Sequence, residues 1–105
     1  MIVMAERHTR YNGSAAGRYR NYRQRSKRRE MTFDLTLKEF GDLIEQPCHY
    51  CGGKSGGLDR CDSTLGYTKF NTVPCCFVCN RAKSDLTELE FVQMCVRVAS
   101  RRGAV

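Results

Sequence analysis

Seven cysteines in 105 residues are the side chains best equipped for chemistry, and four of them form two CxxC pairs, Cys48-His-Tyr-Cys51 and Cys76-Phe-Val-Cys79. Two residues between sulfurs let a tight turn aim both at one ion, so two pairs supply the four thiolates of a tetrahedral zinc site. Gly52 and Gly53 follow the first pair and offer the backbone dihedrals that such a knuckle needs. A redox-active CxxC would account for one pair and leave the other without a use. Cys75 adjoins Cys76, but only Cys76 keeps the two-residue spacing to Cys79; Cys61, Cys75 and Cys95 are then expected to be small buried hydrophobes. His49 is expected to be a partly exposed knuckle residue rather than a ligand. A second group, Asp59-Arg60-Cys61-Asp62, sets an arginine among acids. It is either a solvated turn or a site where carboxylates hold a hard cation and the guanidinium holds an anion.

The segment carrying these groups, Pro47 to Asp85, is rich in Gly and Cys and weak in apolar periodicity, so a metal must organise it. Two capped helices flank it. Thr36 and Glu39 form a capping-box pattern before the stripe Leu37, Phe40, Leu43 and Ile44, which predicts a helix over Leu37 to Glu45, ended before Pro47. DLTLKEF nearly recurs as DLTELEF, with Thr87 and Glu90 as the second box, and predicts a helix over Glu88 to Arg101 that buries Leu89, Phe91, Val92, Cys95, Val96 and Val98. Between the pairs, Gly52 to Cys75 exceeds the roughly 15 to 20 residues of a simple zinc ribbon. An extended stretch at Leu58-Asp59, a hairpin turn at Gly66-Tyr67 and a return over Tyr67 to Val73 would fill it. A helix beginning near Asn80 would then follow the second knuckle. The fold class is α+β.

Charge separates the chain into an arm and a body. Residues 1–30 carry nine Lys/Arg against two acids, and residues 31–105 carry nine against nine, so the whole excess of +7 lies in the first part. A basic arm on a neutral body suits a phosphate-rich partner, because binding releases counterions. Arg18, Arg20, Arg23, Arg25, Lys27, Arg28 and Arg29 lie on a helix expected from Ser14, with Tyr19 and Tyr22 on one side; it either docks by its tyrosines or orders on its partner. The expected division is a basic arm, 1–30, and a zinc-binding domain, 31–105. The start, MIVMAERHTR, lacks the apolar run of a signal peptide, and no run approaches a membrane span. The expectation is a soluble cytoplasmic protein.

In order along the chain stand Cys48-His-Tyr-Cys-Gly52, Leu58-Asp-Arg-Cys-Asp62, Gly66-Tyr-Thr68, Asn71-Thr-Val-Pro-Cys-Cys76 and Cys79-Asn-Arg-Ala-Lys83. Over Phe33 to Phe91 this succession resembles the HNH endonuclease family, especially its small phage-borne members. The resemblance implies a zinc-stapled ββα-metal fold that hydrolyses DNA phosphodiesters with one divalent cation, Mg²⁺ or Mn²⁺. It implies that Asp59 and Asn80 bind that cation and that Asn71 steadies the loop. Arg60 departs from the pattern, since many members have there the histidine that takes a proton from the attacking water. Arginine offers no acceptor. It can grip a phosphate or pair with Asp59 or Asp62, and the proton must then go to Asp62, to His49 or to a metal-bound hydroxide, or the protein binds DNA without cutting it. Lys69, Arg81 and Lys83 are candidate phosphate contacts, while Tyr67 and Phe70 are expected to pack against the knuckle.

Overall fold

The computed structural model describes residues 14–104. Ser14 caps helix α1 (Ala15–Arg28) by accepting the Gly17 N–H at 3.0 Å. Strand β1 (Phe33–Asp34) leads into α2 (Leu37–Glu45). After the first knuckle come β2 (Gly57–Arg60), β3 (Tyr67–Thr68) and β4 (Thr72–Cys75), then α3 (Phe77–Lys83) and α4 (Glu88–Arg101). Both capping boxes form: Thr36 and Glu39 exchange backbone-to-side-chain bonds at 2.8 and 3.1 Å, and Thr87 and Glu90 at 2.9 and 3.1 Å. Among the described residues no helix is long and apolar enough to cross a membrane.

Helix α1 docks on the body through its tyrosines. Tyr22 is buried with Leu35, Phe40, Ile44 and Leu58, and Tyr19 packs on the edge of this core. Each aromatic ring brings apolar area and each hydroxyl a polar handle. Tyr19 donates to the Leu35 carbonyl at 2.6 Å, and the Tyr22 oxygen accepts the Leu58 N–H at 3.1 Å. Edge-to-face contacts of 5.5 Å join Tyr19 to both Phe33 and Phe40.

β2 pairs antiparallel with β4, setting Asp59 opposite Val73 and Leu58 opposite Pro74. The expected hairpin turn at Gly66-Tyr67 is absent, because β3 runs parallel to β1 instead, with Phe33 beside Tyr67 and Asp34 beside Thr68. Gly66 makes that approach possible: a Cβ there would lie 2.2 Å from the Thr32 carbonyl oxygen, which accepts the Tyr67 N–H at 2.9 Å. Helix α3 starts at Phe77, earlier than the expected Asn80, because the Cys76 sulfur accepts the Cys79 N–H and acts as the cap.

The largest correction concerns α4. Phe91 alone of its apolar residues is buried, its ring 5.5 Å from that of Tyr50, whereas Leu89, Val92, Cys95, Val96 and Val98 are exposed. The apolar arc of this helix is wider than the surface the body offers it. Leu37 and Phe70 are likewise exposed, the latter at 88%, so Phe70 does not pack on the knuckle.

Candidate metal centre and basic cleft

The sulfurs of Cys48, Cys51, Cys76 and Cys79 all lie within 4.8 Å of one another. A tetrahedron with metal–sulfur bonds of about 2.3 Å has edges of about 3.8 Å, and Cys51 Sγ to Cys76 Sγ measures 3.8 Å. The four residues are therefore positioned to bind a metal ion, with the geometry and donor softness of structural zinc. Gly52, at φ +76°, turns the first knuckle so that its N–H reaches the Cys48 carbonyl, and the Gly53 N–H points at Cys51 Sγ. The second knuckle is the first turn of α3.

Electrostatics favour a cation at this point. Burial opposes charge on the Cys48 thiol, but backbone N–H groups of Cys51, Cys76 and Tyr50 bring it down to about 7. Burial and then the neighbouring Cys76 sulfur push the Cys79 thiol up, so four thiolates can coexist here only around a positive ion. Cys75 stands apart: fully buried on β4, it is held as a thiol by burial and donates to the Cys76 carbonyl at 3.3 Å. Cys61 is half-buried, and Cys95 is exposed, against the expectation for both.

Beside the metal centre, α1 and the β2–α3 unit enclose a cleft of about 770 Å³. Its lining includes Arg18, Arg25 and Arg28 from α1 and Arg29 at its C-terminal cap, Asp59 and Arg60 from β2, and Asn80 and Arg81 from α3. The Asn80 amide donates to the Leu58 carbonyl at 3.0 Å, tying helix to strand. Asp59 is buried and held through one oxygen: Oδ2 accepts the Tyr50 hydroxyl at 2.6 Å and pairs with Lys83 Nζ at 3.1 Å. Oδ1 has no partner among the described residues. Burial, with the Asp59 bond behind it, pushes the Tyr50 hydroxyl pKa up, so it remains a donor to this carboxylate.

The remaining expected site residues divide sharply. Lys83 is fully buried, and its ammonium, paired with Asp59 and 3.4 Å from the Arg60 carbonyl, is not a surface phosphate contact. Arg60 reaches neither Asp59 nor Asp62 with a hydrogen bond; it donates to the carbonyls of Ser63 (2.7 Å) and Leu65 (3.1 Å) and lies 5.5 Å over the Tyr67 ring. Asp62 is exposed outside the cleft lining and takes the Thr64 N–H and hydroxyl, which hold its carboxyl below the usual range. Asn71 is buried, donates to the carbonyls of Asp62 and Gly66, and accepts the Asp62 N–H. His49 meets Glu88 at 2.9 Å on the α4 side. Arg20, Arg23, Lys27 and Lys69 lie outside the lining; Arg23 sits over Tyr19 and Lys69 over Phe70. Tyr50 and Lys83, as partners of Asp59, escaped the sequence reading. The one available signal was a lysine one helical turn after Asn80.

No protein-family model matches the chain. An uncharacterised protein of Acanthamoeba polyphaga mimivirus is 34% identical over 95 residues, which cover 87% of this chain and 18% of that protein. The chain thus spans about a fifth of the length of the curated relative it matches. Among solved structures, the rare-cutting HNH restriction endonuclease PacI superposes with a TM-score of 0.64 at 21% identity, over 88% of this chain and 83% of that one. This chain has an HNH-type nuclease fold.

Proposed function

We propose that the protein is a metal-dependent DNA endonuclease that hydrolyses phosphodiester bonds, with a structural four-cysteine zinc and a divalent cation, Mg²⁺ or Mn²⁺, at Asp59 and Asn80. The observation that carries this reading is the cleft in which the buried Asp59 carboxylate and the Asn80 amide stand among six arginines. Phosphate oxygens suit that rim of guanidinium groups. The donor set fits the cation, because a hard ion takes oxygen ligands and needs few from the protein. Bound there, the cation would supply charge stabilisation at a phosphate oxygen and at the leaving oxygen.

In this reading Tyr50 and Lys83 hold Asp59 by Oδ2 and orient Oδ1 for the cation. Arg18 supports the floor by donating to the Gly56 carbonyl at 2.7 Å, and Arg25, Arg28, Arg29 and Arg81 grip the DNA backbone. Arg20, Arg23, Lys27 and Lys69 add outer, screened attraction. Arg60, clasping the loop through Ser63 and Leu65, is a scaffold that retains donors for a phosphate.

One observation favours a second reading, a zinc-stapled protein that binds DNA without cutting it. Among the described residues no histidine lines the cleft, and Asp62 and His49, the alternatives for accepting the proton, are engaged elsewhere. Incubating supercoiled plasmid with the protein and Mg²⁺ or Mn²⁺ separates the two. Nicking that EDTA and Asp59→Ala both abolish supports the nuclease; retention of DNA with no metal-dependent nicking supports the second reading. Arginine contacts are tested by salt: Arg25→Ala with Arg28→Ala should reduce the slope of log K against log salt by roughly 0.9 per lost phosphate contact.

A further inference from the structure

Helix α4 leaves Leu89, Val92 and Val96 at 66%, 45% and 50% exposure, with Ala99 next on the same stripe. These residues are spaced three, four and three apart, the a/d seam of a coiled coil. The seam lies roughly a third of a turn around the helix from Phe91, the residue that faces the body. It carries no cation for a nucleic acid, and its apolar side chains exceed what a monomer scatters singly over its surface.

We infer that the seam pairs with the same seam of a second copy of this chain, antiparallel, about a two-fold axis that crosses between the helices at the level of Met94. The three-four-three spacing is symmetric about its centre, so the seam matches its own reverse. Leu89 falls opposite Ala99 of the partner subunit, large against small, and Val92 falls opposite Val96 of the partner subunit. Charge selects the same direction. The helix begins with Glu88 and ends with Arg101, capped by Arg102. In the antiparallel pair Glu88 flanks the seam against Arg102 of the partner subunit, and the reciprocal pair forms at the other end, as an isologous interface requires. A parallel pair would set Glu88 against Gln93 of the partner subunit and leave Arg102 without an acidic partner. Glu88 Oε1 meets His49, and Oε2 is free for this contact among the described residues. Cys95 then lies beside its own copy near the axis.

The inference stands apart from nuclease activity and is tested on the zinc-loaded chain by sedimentation. The expected mass is twice the 12.0 kDa of one chain. Val92→Glu should return it to the single-chain value with zinc content and circular dichroism unchanged. Glu88→Arg and Arg102→Glu should each weaken self-association about tenfold, since like charges then face each other at both ends, and mixing the two variants should restore a dimer. A change in fold would not be repaired by mixing. A short bis-maleimide should couple two native chains and fail with Cys95→Ser. A native chain that stays monomeric at about 100 μM, where even a weak specific interface with micromolar affinity would be filled, overturns the inference; a mixture that stays monomeric overturns the antiparallel arrangement.

Discussion

Helices α1 and α4 are both 14 residues long, and they differ in the opposite sense from their sequences. α1 is dense in arginine yet is anchored in the main core, and α4 is dense in valine and leucine yet touches the body mainly through Phe91. Two tyrosines account for the first case, since each buries a ring and satisfies a buried backbone group at the same time. Partner geometry accounts for the second: the sulfur cluster with Tyr50 offers one aromatic socket, and only one side chain fits it. The number of apolar residues on a helix therefore does not fix how much of it is buried. What fixes it is the surface available within reach.

The sharpest way to break the comparison is to remove the metal. Because α4 hangs on the zinc knuckle while α1 stands on an aromatic core, chelation or Cys76→Ser should abolish amide-exchange protection in α3 and α4 first. Structural zinc contributes on the order of 10 kcal/mol, comparable with the whole stability of a small domain, so the apo protein should be unfolded or nearly so at 37 °C. Next, Tyr22→Ala should cost about 3 to 5 kcal/mol in urea unfolding. Tyr22→Phe, which leaves the buried Leu58 N–H without its acceptor, should cost about 1 to 3 kcal/mol. On α4, Phe91→Ala should cost about 3 kcal/mol, whereas Leu89→Ala, in solution dilute enough to be monomeric, should stay within about 0.5 kcal/mol; equal losses would erase the distinction between the helices.

The smallest effect concerns the capping box of α2. The Thr36 N–H holds the Glu39 carboxyl below its ordinary 4.5. Its contribution is therefore complete above that value and is lost as pH falls through the lowered one. Acid titration of Glu39→Gln should flatten the stability profile in that window, and Thr36→Ala should cost about 1 kcal/mol at neutral pH.

Much of the metal centre was legible in the sequence, because CxxC spacing is a local property and the choice of Cys76 over Cys75 follows from it. The capped helices were legible for the same reason, within one residue of their ends. Strand pairing was only half legible. β2 and β4 were expected as partners in outline, but the parallel contact of β1 with β3 depends on Gly66 meeting Thr32, which no periodicity announces. The cleft was legible as a residue set through Asp59 and Asn80. The burial of Lys83 was not, because a lysine reads as surface until its buried counter-ion is known. The α4 pattern misled for a physical reason: periodicity reports that a face is apolar, not whether the chain itself covers it.

Thr32 and Gly66 have a mechanical consequence. The segment leaving α1 and the loop below the cleft touch there backbone to backbone, without room for a methyl group, so the two jaws share a pinned hinge. A cleft braced in this way keeps its two sides at a set separation, and Gly66→Ala should force them apart.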